Sequence, residues 1–476
     1  MSKFNSEIFE TIRGTYNPSQ MFTFVDALDP NDRGESLEVS NTCVLFHEKF
    51  HHWQTIMTGY GQLKWASNRT LCSEILDIWL EYSNQTSDKI KMPIGYIIEE
   101  ETDEAVRATA SIYIQMLMMK LFYLKERKFV DNEMIKFNFV DEDVIAPKIN
   151  VMGDDKILNG IDIIECFAKY QEAIFAYIIF GIPFEETMNF ENLYEEYYIP
   201  FLYFIEQVGN SRLIEFPLVC DLALQLKSIS LSKKNTEWEN NHPAWRFVKI
   251  VEVLKNNPDI PYLDYCNIEK SSKTYIDKII AVCKFDSMED MWKTHLKYVH
   301  DAELLMCDEM KKAIKLKLEY PWILAYPFYN EGTMKKVYEF HPTAYKFSDV
   351  TKYPLSDYDN NLWIMEVIYE YHLQAFVKQI CGEISNYCVY RDELQCGFTF
   401  YGLKGCTYLD SGDCSGSLNV EEGLQVKCCL DIEKNIADGC SFGIFLATMN
   451  IDLKEIDFKD KRDKIDLNYI SSKIKV

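Results

Sequence analysis

The chain has 476 residues, 47% hydrophobic and 26% charged, which is ordinary for a folded protein and enough to bury a large core over two or three domains. Its net charge of −24, with no compact basic cluster, argues against nucleic acid as a partner, because phosphate binding needs concentrated Lys and Arg. The longest apolar stretches, Ile112–Leu124 and Ala173–Phe184, are too short to span a membrane, and the residues after Met1 lack the apolar run of a signal peptide, so a cytoplasmic protein with no membrane partner is expected.

Residues 1–40 read as irregular, with a strand at Met21–Val25 and a turn at Asp29–Asp32. Next comes His47-Glu48-Lys49-Phe50-His51, an HExxH pattern; with 8 histidines in the chain, a chance match is on the order of one per cent. Ser40, Asn41 and Thr42 offer N-cap side chains, and Val44, Leu45, Phe46, Phe50, Trp53, Ile56 and Met57 recur at helical spacing. Gly59 and Gly61 supply a stop. At about 100° per residue, His51 lies roughly 40° round the helix from His47. Gln54 and Thr58 share that stripe, while His52 points well away from it. His47 and His51 can therefore reach one metal ion together, with Glu48 beside them to accept a proton from a water on that ion. The alternative is a polar helix face with two hydrogen-bonded histidines.

From about 42 to 335 the pattern is mostly helical. Helices are predicted at Ser67–Tyr82, Glu104–Leu124, Gly160–Phe180, Leu193–Val208, Leu213–Ser228 and Pro243–Lys255, with a further helical block at Met288–Leu318. Residues 125–156 are mixed, with an extended piece at Lys136–Val140. Residues 319–358, rich in Tyr, Pro and Phe, read as a connector, and Leu362–Ile380 as one more apolar helix. After Cys381 the texture turns to short strands, glycines and cysteines. The expected fold is mainly α, with a small β element and an α+β C-terminal module. The expected domains are 1–335 and 336–476.

A catalytic zinc needs three protein ligands and an open position. The helix at 160–180 is apolar nearly all round, and a carboxylate there is costly unless paired or bound. Glu165 is the first candidate for third ligand. Glu172, on nearly the same face two turns on, is the second, and Glu366 and Glu370 are lesser ones. The alternative is a buried Glu paired with Lys or Arg. On His47, Glu48, His51 and Glu165 the chain resembles the gluzincin metallopeptidases of the zincin superfamily. The resemblance implies a zincin-like helical core, one catalytic Zn²⁺ on His47, His51 and Glu165, and Glu48 as general base acting on a protein or peptide substrate. The chain departs from thermolysin-like members in its long gap from His51 to Glu165, and in having Lys169 where they carry a carboxylate that supports a ligand. His242 and Arg246, and also His341, are candidate donors to a developing oxyanion.

Eight of the 15 cysteines follow residue 380. In a cytoplasmic setting they are thiols or metal ligands rather than a disulfide framework. Cys396, Cys406, Cys414 and Cys440 are the candidate set for a second, structural zinc, although no CxxC is present. Otherwise the segment is an accessory module that recognises substrate or a regulatory partner protein. Two other functions compete with peptide hydrolysis. An inactive zincin-like scaffold is one, with the intact Glu48 against it. A di-iron carboxylate protein is the other, but its second ExxH, Glu239-Asn240-Asn241-His242, abuts Pro243.

Overall fold

The computed structural model describes residues 14–17, 22–25, 35–65, 90–92, 147–188, 197–226, 240, 242–293, 307–340, 344–347 and 456–458. These residues are mainly helical. The chain divides into two units. The first comprises Met1–Ala66, Phe122–Lys128 and Val144–Tyr353; the second comprises Ser67–Leu121, Phe129–Asp143 and Pro354–Val476. The boundary expected after residue 335 falls inside the first unit, and 67–121 belongs to the second. The predicted helices at 67–82, 104–124 and 362–380, and the extended piece at 136–140, lie outside the described residues.

In the first unit the central element is α1 (Glu35–Met57). It begins ahead of Ser40, Asn41 and Thr42, which are interior positions and not caps. From Phe46 to Met57 every residue is buried, polar ones included, so the helix is a core helix with neighbours on all sides. Gly59 and Gly61 do not stop the helical run; the chain bends at Thr58 and is helical again over 59–65. At the bend the Thr58 hydroxyl donates to the Gln54 carbonyl (2.7 Å) and accepts from Gly61 N (3.0 Å). Glycine at 59 answers a tertiary need, since a Cβ there would lie 2.0 Å from the Leu226 carbonyl oxygen.

A three-stranded sheet packs on α1 through its first two strands. β1 (Gly14–Asn17) runs antiparallel to β2 (Phe22–Val25). The strand at 344–347 joins β2 in parallel, with Phe22 opposite Ala344 and Val25 opposite Phe347. The region expected to be a plain connector thus supplies a strand, and also a helix, Glu331–Tyr338. Trp53, fully buried, donates its indole N–H to the Phe340 carbonyl (3.1 Å) and ties α1 to that returning chain.

The other face of α1 packs on α2 (Gly160–Phe180). The backbone N–H of Asn159 donates to the Asp162 carboxylate (2.7 Å) at the start of this helix. Gly181 ends it in the left-handed region, φ 69°, where glycine carries no Cβ penalty. A hairpin precedes it, β3 (Lys148–Val151) paired with β4 (Asp154–Ile157), in a stretch that had read as mixed. Aromatic rings seal the α1–α2 seam. Phe46 stacks on Phe175 at 4.4 Å, and Phe50 meets Phe167 edge-on at 4.9 Å. Such pairs contribute roughly 0.5–1.5 kcal/mol each beyond simple burial.

Behind this pair lie α3 (Ile199–Val208), α4 (Phe216–Leu224), α5 (Pro243–Asn256), α6 (Ile268–Cys283) and α7 (Cys307–Glu319). Two buried polar clusters tie α4, α6 and α7 into this core. Glu215 takes two bonds from Arg212, one from the Tyr275 hydroxyl and one from Leu263 N. Asp221 on α4 pairs with Lys317 on α7, and Gln225 links Asp221 to the Met57 carbonyl at the end of α1. The second unit contributes one described pairing, Ile90–Met92 parallel with Ile456–Phe458. Among the described residues no helix is long and apolar enough to cross a membrane.

Candidate metal centre

The α1–α2 seam places His47 and His51 opposite Glu165. His47 Nε2 and His51 Nε2 are 3.0 Å apart, and Glu165 Oε2 lies 3.3 Å from the first and 3.2 Å from the second. Among the described residues this is the one convergent group of three side chains able to hold a metal ion. His47 and His51 are buried, while the Glu165 side chain is 21% exposed, so the triangle opens on the carboxylate side.

The outer nitrogens of both rings are committed elsewhere. His47 Nδ1 donates to Glu172 Oε2 (3.0 Å), whose other oxygen accepts from Lys169 Nζ (2.9 Å). His51 Nδ1 donates to Gln54 Oε1 (2.7 Å). The orientation of that amide is fixed, because its NH₂ donates to the Ile164 carbonyl (3.0 Å) and leaves only the oxygen for the ring. Each neutral ring therefore carries its hydrogen on Nδ1 and turns an Nε2 lone pair inward. Two lone pairs and a carboxylate oxygen then face one another within 3.3 Å. Such a cluster repels itself unless a proton or a cation lies within it.

A metal fits the spacing. With ligand bonds of about 2.0–2.1 Å, the edge of a tetrahedron is roughly 3.3–3.4 Å, close to the three separations observed. The donor set of two imidazoles and one carboxylate is one that zinc takes in catalytic sites. Electrostatics fit as well. Burial by itself lowers the His47 ring, but its bonds to Glu165 and Glu172 outweigh this and raise it to about 10. Burial favours a neutral Glu165, yet His51 and His47 hold its carboxyl well below the usual carboxylate range. The centre is thus built to keep positive charge beside ionised carboxylates.

Glu48 stands next to the triad in sequence and is 6% exposed. Among the described residues its carboxylate makes no hydrogen bond or salt bridge. Burial pushes its pKa up to about 7, against the opposing pull of His47 and His51. A buried carboxylate without a fixed partner suits proton transfer better than structure.

His52 is turned to the other side of α1, its Nε2 3.5 Å from Glu309 on α7. Two of the three proposed oxyanion donors have backbone partners. His242 caps α5, accepting from Ala244 N at 3.2 Å. Arg246 donates to the Asn240 and Leu222 carbonyls at 2.9 Å each and stacks over Phe285. His242 thus uses its Nδ1 lone pair on a helix start, and Arg246 uses both terminal NH₂ groups on backbone carbonyls. His341, Glu366, Glu370, Cys396, Cys406, Cys414 and Cys440 lie outside the described residues.

Sequence reasoning had Glu172 as a second choice for ligand; the structure puts it on the far nitrogen of His47 instead. It also missed Tyr197, whose ring stands edge-on to His47 at 5.8 Å. No motif marks Tyr197, and only the packing of α3 brings it there. No family model, no curated protein and no solved structure matches this chain.

Proposed function

We propose that the chain is a zinc-dependent metallopeptidase with a zincin-like core, hydrolysing peptide bonds in a protein or peptide substrate. The observation that carries this reading is the convergence of His47 Nε2, His51 Nε2 and Glu165 Oε2 at 3.0–3.3 Å, with both Nδ1 atoms already committed. Charge balance supports it too. With both rings neutral and Glu48 ionised, Glu48 and Glu165 place two negative charges beside the two imidazoles while Lys169 offsets Glu172. A divalent ion closes that balance.

Bound zinc would supply Lewis acidity to a water and to the scissile carbonyl. The protein does the rest. Glu172 and Gln54 hold the two imidazoles in the tautomer that presents Nε2. Glu48, with no fixed partner among the described residues, accepts the proton of the attacking water and passes it to the leaving amine. Di-iron chemistry is disfavoured because His242 of the second ExxH is used as a helix cap.

The test pairs metal analysis with Glu48→Gln. Protein purified from zinc-supplemented cells should hold one zinc in this centre. Glu48→Gln should keep the zinc and lose at least about a hundredfold in cleavage, the usual weight of a general base. Cleavage that persists in Glu48→Gln, or a wild type that takes up no zinc, sinks the reading.

A further inference from the structure

We propose that Glu172, held by Lys169, is the positioning residue that fixes His47 as a metal ligand. This role rests on the triad holding a metal, as above. Glu165 and Glu172 are seven residues apart on α2, two helical turns and about 10 Å along the axis. They reach opposite nitrogens of the same imidazole, Glu165 on Nε2 and Glu172 on Nδ1. One ring is thus braced between two carboxylates of a single helix.

The brace is directional. Glu172 Oε2 can only accept, so Nδ1 must donate, and Nε2 is left with the lone pair a metal needs. Lys169 Nζ occupies Oε1, so each oxygen has its own partner. Both residues are buried. A buried ion pair contributes little net stability compared with apolar side chains of the same size. Its presence beside His47 is better explained by what it does to the ring. His51 differs here, because its Nδ1 rests on the neutral amide of Gln54. Of the two imidazoles, His47 alone has an anion behind it, which makes its Nε2 the stronger donor.

The hydrogen-bond directions give a test that a merely structural pair would fail. In Glu172→Gln the amide has one acceptor and one donor end but faces two donors, His47 Nδ1–H and Lys169. If the oxygen turns to Lys169, the NH₂ meets Nδ1, forces the hydrogen onto Nε2 and blocks the metal. Removing the lysine frees the amide oxygen for Nδ1. Zinc affinity, measured by competition with a chelating dye on the full chain, should therefore fall 10–100-fold in Glu172→Gln, the range for loss of a ligand's supporting partner. Lys169→Met alone should lose less than tenfold. The double variant Glu172→Gln/Lys169→Met should recover to within about threefold of Lys169→Met. Circular dichroism and thermal melting of the metal-free proteins check that each variant folds. Glu172→Ala serves as a second probe if Glu172→Gln does not, and the same 10–100-fold loss is expected. Unchanged affinity in the folded Glu172 variants overturns the positioning role while leaving the metal centre intact. A loss in Glu172→Gln that the double variant does not recover overturns the directional mechanism. A wild type that binds no zinc removes the metal centre itself.

Discussion

The sharpest perturbation separates two adjacent histidines. His51 Nε2 lies 3.0 Å from His47 Nε2 and 3.2 Å from Glu165, whereas His52 is fully buried on the other side of α1, near Glu309. A four-ligand structural zinc binds with about 10–16 kcal/mol, so one ligand accounts for roughly 3–4 kcal/mol. At about 1.4 kcal/mol per decade, His51→Ala should weaken zinc binding by roughly 10²–10³-fold. His52→Ala removes no ligand and should leave zinc affinity within about threefold. Its effect belongs to the core: truncating a fully buried side chain should lower metal-free stability by roughly 1–3 kcal/mol. The assay is zinc titration against a chelating dye, run beside thermal melts of the metal-free proteins. If His52→Ala loses zinc as His51→Ala does while remaining folded, the angular argument and the triad both fail.

Two further predictions concern the scaffold. Lys317→Met leaves Asp221 buried with its cation gone and should destabilise the fold by about 3–5 kcal/mol in urea unfolding, while Asp221→Leu/Lys317→Met should recover most of that loss. Equal destabilisation in the single and double variants would refute the pairing argument. Among the described cysteines, Cys266 is exposed and Cys43, Cys166, Cys220 and Cys283 are buried. Burial pushes the Cys283 thiol up to about 11, so at pH 8 only about one molecule in a thousand carries the reactive thiolate. Iodoacetamide at pH 8 should label Cys266 in the native protein and reach those four only after unfolding, as read by peptide mass mapping. Rapid native labelling of Cys283 would contradict its burial.

Much of the centre was legible in the sequence because it depends on a single helical period. The angle between His47 and His51, the exclusion of His52, and the extent of the Gly160–Phe180 helix all follow from about 3.6 residues per turn and from a left-handed glycine at its end. The cost of a carboxylate in an apolar helix was enough to single out Glu165 and Glu172. Other features depended on partners far along the chain. Ser40, Asn41 and Thr42 are good caps in isolation, yet α1 starts at Glu35, ahead of all three, and is buried on every side from Phe46 to Met57. Gly59 looked like a stop and proved to be a point of close approach to Leu226, 167 positions later. The strand at 344–347 has its partner at 22–25, which no local pattern could reveal.

The division of labour between Glu165 and Glu172 is the clearest case. Two residues seven apart face the same way on a helix, so periodicity cannot rank them. What separates them is about 10 Å along the axis, and the sliding offset of α2 against α1 decides which carboxylate meets which nitrogen. That offset is set by Phe46 on Phe175, Phe50 on Phe167 and the Gln54 bond to Ile164. Sequence by itself determined the side chains and the faces they share. Tertiary packing alone decided that Glu165 completes the triad and that Glu172 braces His47 from behind.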